Sequence, residues 1–490
     1  MRKFKKLLFK LVLLFAFIAG CILVYNAFTF SSLQIRIEPI ENIEIDDNAV
    51  QRFTKALSYP TISNQSKVDT QAFRNLDTFI EKTYPLLDSL LDKEIVNQFS
   101  RIYKWQGKNP KLEPILLMAH MDVVPVEEGS LKDWEEAPFS GKIKDGFIWG
   151  RGTMDDKFSV FSIIEAVNLL LKTDYIPERT IYLAFGHDEE VGGRNGAKSI
   201  AKLFEKRGIR FEFVLDEGGM VLNNAMGGLD APLAMIGLSE KGYVTLSITA
   251  NLKEGGHSSI PPKTTAVGLL SESIYKLNQN PFPAKIDGAV GQMFNFIGPE
   301  MSFFHKMLFS NLWATEGLIL SNLSNENTSN ALVRTTIAPT MLRGGFKDNV
   351  LPTKASAKIN FRILPGETVE SVQQYVREVI DDNQVIVSVS GEGNVTEPSP
   401  VSSTEAFGFQ ILHTTIREIF PEAVVAPSLV VGGTDGRHFT NVSDNVYRFI
   451  PLHCDKVDTK RFHGLNERVR VENYKNAIRF YQRLILNACR

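Results

Sequence analysis

Apolar and polar positions follow two different rhythms along this chain, and the change of rhythm divides it. Up to about residue 240, short and wholly apolar runs alternate with stretches whose apolar residues fall three and four apart. Ile115-Leu116-Leu117-Met118-Ala119 is one such run and ends on His120. Thr180 to Phe185 ends just before Gly186-His187-Asp188-Glu189-Glu190, and Phe213-Val214-Leu215 ends on Asp216. Between the first two, Asp155 to Lys172 sets Phe158, Phe161, Ile164, Val167 and Leu171 on one helical face. Such alternation predicts an α/β fold with a mostly parallel sheet covered on both faces. In such sheets the ligand site lies at the carboxyl ends of the strands. Three strands here each deliver a polar residue as they end.

From about Lys241 the rhythm becomes strict alternation. Val244 to Thr249 and Ala355 to Phe361 read as half-buried antiparallel strands. Between them, around 281–323, lies a stretch rich in Phe, Met, Leu and Pro. We therefore expect an α+β domain at 241–397 inserted into a catalytic domain made of 48–240 and 398–490. Residues 32–47 form a linker, and 1–31 stand apart.

That first segment carries Arg2, Lys3, Lys5 and Lys6 ahead of an apolar run from Leu7 to about Phe30, interrupted by Lys10 and Asn26. The run is apolar on every face and long enough for a bilayer, as in a signal anchor. Basic residues at its start keep the N-terminus cytoplasmic and send the rest across. A cleaved signal peptide giving a secreted protein is one alternative. A lipid anchor at Cys21, in Ile18-Ala19-Gly20-Cys21, is another.

Composition narrows the chemistry. At 490 residues the chain exceeds one compact core, and its formal charge of −2 argues against a nucleic-acid partner. Three cysteines, Cys21, Cys454 and Cys489, support neither a disulfide framework nor a thiolate metal site. Any metal must sit on His and carboxylate ligands. The segments around His120, Asp155, Glu189-Glu190, Asp216 and His463 can supply them. Two imidazoles and three carboxylates hold two divalent ions if one carboxylate bridges, an arrangement that activates water and polarises a carbonyl. Nitrogen and oxygen donors suit two Zn2+, with Co2+ or Mn2+ as substitutes. A neighbouring free carboxylate would serve as general base. An isolated Asp-Asp or Glu-Glu pair is ordinarily solvated surface; joint placement after apolar strands gives these their weight.

The stretches Ala119-His120-Met121-Asp122-Val123-Val124-Pro125, Gly150-Arg151-Gly152-Thr153-Met154-Asp155-Asp156-Lys157 and Gly186-His187-Asp188-Glu189-Glu190 resemble the zinc metallopeptidase family of aminoacylase-1, glutamate carboxypeptidases and acetylornithine deacetylase. The resemblance implies a di-zinc exopeptidase-type catalytic domain with an inserted lid and dimerisation domain. It implies that His120 and Asp216 bind one metal, Glu190 and His463 the other, and Asp155 both. Asp122 would buttress His120, and Glu189 would be the base. Gly255-Gly256-His257-Ser258-Ser259 resembles the family's lid motif, whose His polarises the scissile carbonyl, often across a homodimer interface. The stretches Asn349 to Pro352 and Phe361 to Gly366 resemble the region that presents an Arg, here Arg362, to a substrate carboxylate. Gly432 and Gly433 open what looks like the Gly-rich loop nearby, in which Asp435 and Arg437 could equally form a structural ion pair.

Finer motifs, Ser239-Glu240-Lys241-Gly242, His438 to Asn441 and Tyr447-Arg448-Phe449, are similar to the branch of carboxypeptidase S and the secreted N-fatty-acyl-amino-acid synthase/hydrolases. The expected activity is hydrolysis, reversible in principle, of an amide next to a free-carboxylate amino acid. The N-acyl group is a fatty one on this reading, and Met293, Phe294, Phe296, Phe303, Phe304, Met307, Leu308 and Phe309 could line a channel for it or equally form a lid-domain core or a dimer contact. A carboxypeptidase acting on small peptides is the alternative, and a non-catalytic receptor or scaffold on the same fold the second.

Overall fold

A computed structural model describes residues 2–38, 40–64, 69–391 and 395–490. Its centre is a ten-stranded sheet. The strands Ile115–His120, Ile181–Gly186, Phe213–Asp216 and Val446–Arg448 run parallel through the middle. Antiparallel strands Asp92–Val96 and Ser100–Trp105 extend one edge, and Leu233–Glu240, with its partners, the other.

The apolar runs are continuous because both faces are covered. Side chains of a strand alternate between faces, and here each face has its own core. Ile115, Leu117, Ala119, Ile181, Leu183, Phe185, Phe213 and Leu215 enter the larger one. Their neighbours Leu116, Met118, Tyr182, Ala184 and Val214 enter a smaller one under helix Ala197–Lys206. Helix Lys157–Leu171, buried at every position but Leu169, packs against the C-terminal helix Val471–Ala488 on the larger side.

A second sheet of four strands orders Thr336–Gly344, Lys354–Ile363, Gly242–Asn251 and Val385–Val389. Its strict alternation gives one face to a separate core beneath helices Ala266–Gln279 and Val369–Ile380. Only Lys241 separates strand Leu233–Glu240 of the large sheet from strand Gly242–Asn251 of the small one.

Part of the aromatic stretch does not share that second core. In helix Gly288–Ile297, Ala289, Val290, Met293, Phe294, Phe296 and Ile297 join the large core, against strand Val424–Val430. Helical spacing announces a buried face without saying which core receives it. Met293, Phe294 and Phe296 are thus core, whereas Phe303 and Phe304 are exposed. Helix Arg2–Thr29 is long and apolar enough to cross a bilayer, and Ala27 is its one buried residue among those described.

Glu240 ends its strand in the protein interior. Its carboxylate takes the Arg448 guanidinium at 3.0 and 2.6 Å and the Thr434 amide at 2.6 Å. One buried carboxylate thus ties the sheet to the loop that follows strand Val424–Val430. Removing one partner of a buried pair leaves an uncompensated charge, so Arg448→Met is expected to cost about 3–5 kcal/mol. A fall in the urea unfolding midpoint checks this; an unchanged midpoint would mean that water solvates Glu240.

Candidate metal centre

Parallel strands end on the same edge of the sheet, and here that edge gathers acid. Strand Ile115–His120 delivers His120. Strand Ile181–Gly186 runs into the single turn Glu189–Val191, and Phe213–Asp216 leads into Glu217. Asp155 and Asp156 immediately precede helix Lys157–Leu171, while His463 arrives from a loop of the C-terminal segment.

Asp155 stands between the two imidazoles. Its Oδ1 lies 2.8 Å from His120 Nε2 and its Oδ2 3.0 Å from His463 Nε2. Glu190 approaches His463 Nε2 at 3.3 Å, and Glu217 approaches His120 Nε2 at 3.5 Å. The donor atoms of His120, Asp155 and Glu190 fall within 4.8 Å of one another, as do those of His120, Asp156 and Glu217. His120 is buried, whereas the His463 side chain is half exposed at the mouth.

Asp122 organises the far side. Its main-chain oxygen is 3.0 Å from His120 Nδ1 and its carboxylate 3.4 Å. The same carboxylate accepts from the amides of Glu189 and Glu190, both at 3.2 Å, so it orients the acidic turn as well as the imidazole. Gly193 closes that turn at φ +64°, where a Cβ would collide with the Asp435 carboxylate. That carboxylate lies against Gly186 and Gly193, and no ion pair joins it to Arg437 among the described residues.

Asp216 is not among the converging donors. Its carboxylate accepts the Gly436 amide and turns toward the Gly-rich loop, whereas Glu217, one residue on, faces His120. Successive residues leave a strand on opposite sides, so an Asp-Glu pair at a strand end offers two candidates and the twist selects one. Asp156 is the other unexpected neighbour. Its Oδ2 lies 3.4 Å from the His120 amide, and its Oδ1 is buried without a partner among the described residues.

The protonation preferences describe a place short of positive charge. Burial raises Glu189, Glu190, Glu217 and Asp156, the last to about 8, and neighbouring carboxylates add to each. Burial opposes ionisation of Asp155 too, but hydrogen bonds from His120 and His463 outweigh it and hold Asp155 below the usual range. Hydrogen bonds to Asp155 and then Glu190 push His463 up to about 10. Burial disfavours His120 as a cation, yet Glu217, Asp122 and Asp155 raise it well above its ordinary value. Carboxylates on both sides draw the two imidazoles toward protonation, and a pair of divalent cations would take the place of those protons. Nitrogen and oxygen donors without thiolate suit zinc.

A second cluster is cationic. Arg362, on strand Lys354–Ile363, lies over the Tyr243 ring at 4.9 Å. Burial, with Arg437 nearby, lowers its proton affinity, and burial with Arg362 takes Lys241 down to about 7. Lys241 donates to the carbonyls of Ala331 and Arg334 at 2.9 and 2.7 Å. Arg437 sits beside Gly433, where a Cβ would crowd its guanidinium, and Gly432 precedes it in the same loop. Among the described ion pairs none neutralises these three cations, and an anionic group would.

His257 and Asn349 come together, but elsewhere. Gly256–His257 pairs with Val350–Leu351, and the Ser258 amide donates to the Asn349 carbonyl at 3.2 Å. The exposed His257 ring bonds Ser259 in its own loop at 2.8 Å. No described hydrogen bond or ion pair joins either residue to the acidic cluster. His187, beside the acidic turn, is structural: it bonds Ser100 at 2.6 Å and meets the stacked rings of Phe73 and Phe99 edge-on.

Residues 116–487 match the profile of peptidase family M20/M25/M40. The chain is 41% identical over 478 residues to "Probable carboxypeptidase S-like 2" of Dictyostelium discoideum, covering 95% of this chain and 91% of that one. It is 39% identical over 444 residues to "N-fatty-acyl-amino acid synthase/hydrolase PM20D1" of Xenopus tropicalis, with 90% and 85% covered. Its fold is shared by an M20 family metallo-carboxypeptidase from Sulfolobus solfataricus at a TM-score of 0.63 and 18% identity, over 91% of this chain and 99% of that one.

The geometry predicts two divalent ions per chain in protein never exposed to chelator, read by elemental analysis. Glu217→Ala is expected to retain one and Asp216→Asn both. Two ions in Glu217→Ala would return the ligand role to Asp216.

Proposed function

Because this chain belongs to peptidase family M20/M25/M40 and is therefore a hydrolase, we propose that it cleaves the amide between an N-acyl group and an amino acid with a free carboxylate. The observation that carries this reading is the Asp155 carboxylate shared by His120 and His463, with cations on the neighbouring loop and sheet that none of the described ion pairs neutralises. We assign His463, Glu190 and Asp155 to one zinc ion and His120, Glu217 and Asp155 to the other. Two zinc ions held there supply Lewis acidity and an activated nucleophile at neutral pH.

The protein groups around them have separable tasks. Glu189, steered by Asp122 through its amide, takes a proton from the attacking water and passes it to the leaving nitrogen. Its carboxyl, raised by burial and its acidic neighbours, suits a group that must hold a proton as well as release one. Arg362, Arg437 and Lys241, with the space left by Gly432 and Gly433, receive the substrate carboxylate. The exposed His257 loop, with Asn349 beside it, serves the site of a second copy in a homodimer.

A fatty acyl group is favoured by the Xenopus relative, an N-fatty-acyl-amino acid synthase/hydrolase by name. It is also favoured by an apolar cavity of about 340 Å3 among Met226, Met301, Phe304, Leu308, Phe309 and Leu318. Action on small peptides is the second reading, supported by the carboxypeptidase S-like relative. Helix Arg2–Thr29 is taken as a single-pass signal anchor that keeps the catalytic body on the extracytoplasmic side, its basic start facing the cytoplasm.

Glu189→Gln is expected to lower kcat by about a hundred- to ten-thousand-fold with metal content unchanged; activity that survives the change removes Glu189 as the base. An N-oleoyl amino acid is expected to show a higher kcat/KM than an N-blocked dipeptide in the same preparation. Faster dipeptide cleavage would make the enzyme a carboxypeptidase.

A further inference from the structure

The N-terminal helix Arg2–Thr29 is fastened to the globular body at its last turns. The attachment is a hairpin of helices Phe303–Phe309 and Leu312–Leu323. Asn311, fully buried where these helices meet, donates to the Leu23 carbonyl at 3.0 Å and accepts from the Asn26 amide at 2.8 Å. The Phe28 and Phe303 rings lie 5.6 Å apart, and the Phe30 ring closes on Gly298.

The outer face of this hairpin is ill suited to water. Phe303, Phe304, Trp313 and Leu318 are 50%, 59%, 69% and 62% exposed. Between Met301 and Leu323 the only residues with a formal charge are Lys306 and Glu316. Three of the four tryptophans, Trp105, Trp134 and Trp149, are buried, so Trp313 alone is exposed.

Depth along the helix says what covers this face. At 1.5 Å per residue, the stretch from Leu7 to Asn26 spans about 30 Å, the thickness of a bilayer's hydrocarbon core. The tie between Asn26 and Asn311 therefore falls where hydrocarbon gives way to headgroups. Tryptophan and phenylalanine at that level, on a short element of low charge, are the chemistry of an interfacial helix. The exposed apolar surface of the N-terminal helix continues through Phe28 onto Phe303.

We propose that the hairpin is a second membrane-contacting element. It beds Phe303, Phe304, Trp313 and Leu318 into the outer boundary of the bilayer that the N-terminal helix crosses, and it seats the catalytic body on the lipid. The inference rests on that helix being a retained anchor. Phe304 and Leu318 also line the apolar cavity, so a fatty chain dissolved in the bilayer meets its mouth without crossing water.

The test uses the full chain in phosphatidylcholine vesicles with plain or acyl-brominated lipid, floated on a density gradient. Bromine quenches an indole only at close range. Floated protein is expected to lose emission in brominated relative to plain vesicles, and Trp313→Phe to abolish that loss while floating as well. Equal emission in both lipids from floated protein overturns the hairpin proposal and leaves the anchor standing. Trp313 shielded from bromine in a protein that cross-links to itself would assign this face to a second copy, which also overturns it. A chain that does not float refutes the anchor and, with it, the hairpin's role.

Discussion

Crowded negative charge is the constraint on which this structure turns. Asp122, Asp155, Asp156, Glu189, Glu190, Asp216, Glu217 and Asp435 lie in one acidic region with His120 and His463, and a charge removed from water is costly unless paired. The chain meets this cost in two ways. Some carboxylates are answered by the protein itself. Asp122 takes two main-chain amides, Asp216 takes that of Gly436, and neighbouring Asp188 takes those of Asn195 and Gly196. At the rim, Glu467 takes Arg151 and two further amides, as Glu240 takes Arg448. Others face the imidazoles: Asp155 and Glu217 entirely so, Glu190 with one amide from Val124 in addition. The first group builds the walls, and the second leaves a demand for cations in the middle.

That division was only half legible in the sequence. The apolar runs ending on polar residues announced a parallel sheet with its site at one edge, and the alternating face assignments of Ile115 to Ala119 follow from strand geometry alone. His120, Asp155, Glu190 and His463 converge from segments far apart in the chain, and their type and setting made them visible. Asp216 and Glu217 were not separable that way. Both are acidic and adjacent at a strand end, and only the path beyond the strand decides which faces His120 and which the Gly436 amide.

The insert was legible only in part, for a related reason. Its alternating strands marked a second sheet correctly in kind. The helical stretch inside it read equally as a channel lining, a core or a dimer contact, and Met293, Phe294 and Phe296 pack in the core of the large sheet. Periodicity reports how a segment is buried; the partner is set by tertiary packing. The apolar side chains left outside either core, Phe303, Phe304 and Trp313, are the ones that a one-dimensional pattern could not separate from the rest.

Lys241, the one residue between the two sheets, gives the arrangement a further meaning. The acidic donors belong to the large sheet, while Arg362 stands on the small one, and Lys241 lies at their junction beside Arg362. On the proposed reading, a substrate gripped at its carboxylate by Arg362 and at its amide by the acidic centre would span that joint. The two grips would then work as a caliper closed on the one amino acid that lies between carboxylate and amide. Such an instrument measures where a chain ends and is indifferent to most of what lies beyond the bond it cuts. Selectivity toward a terminal residue, and tolerance toward the group behind it, would come from a single spacing.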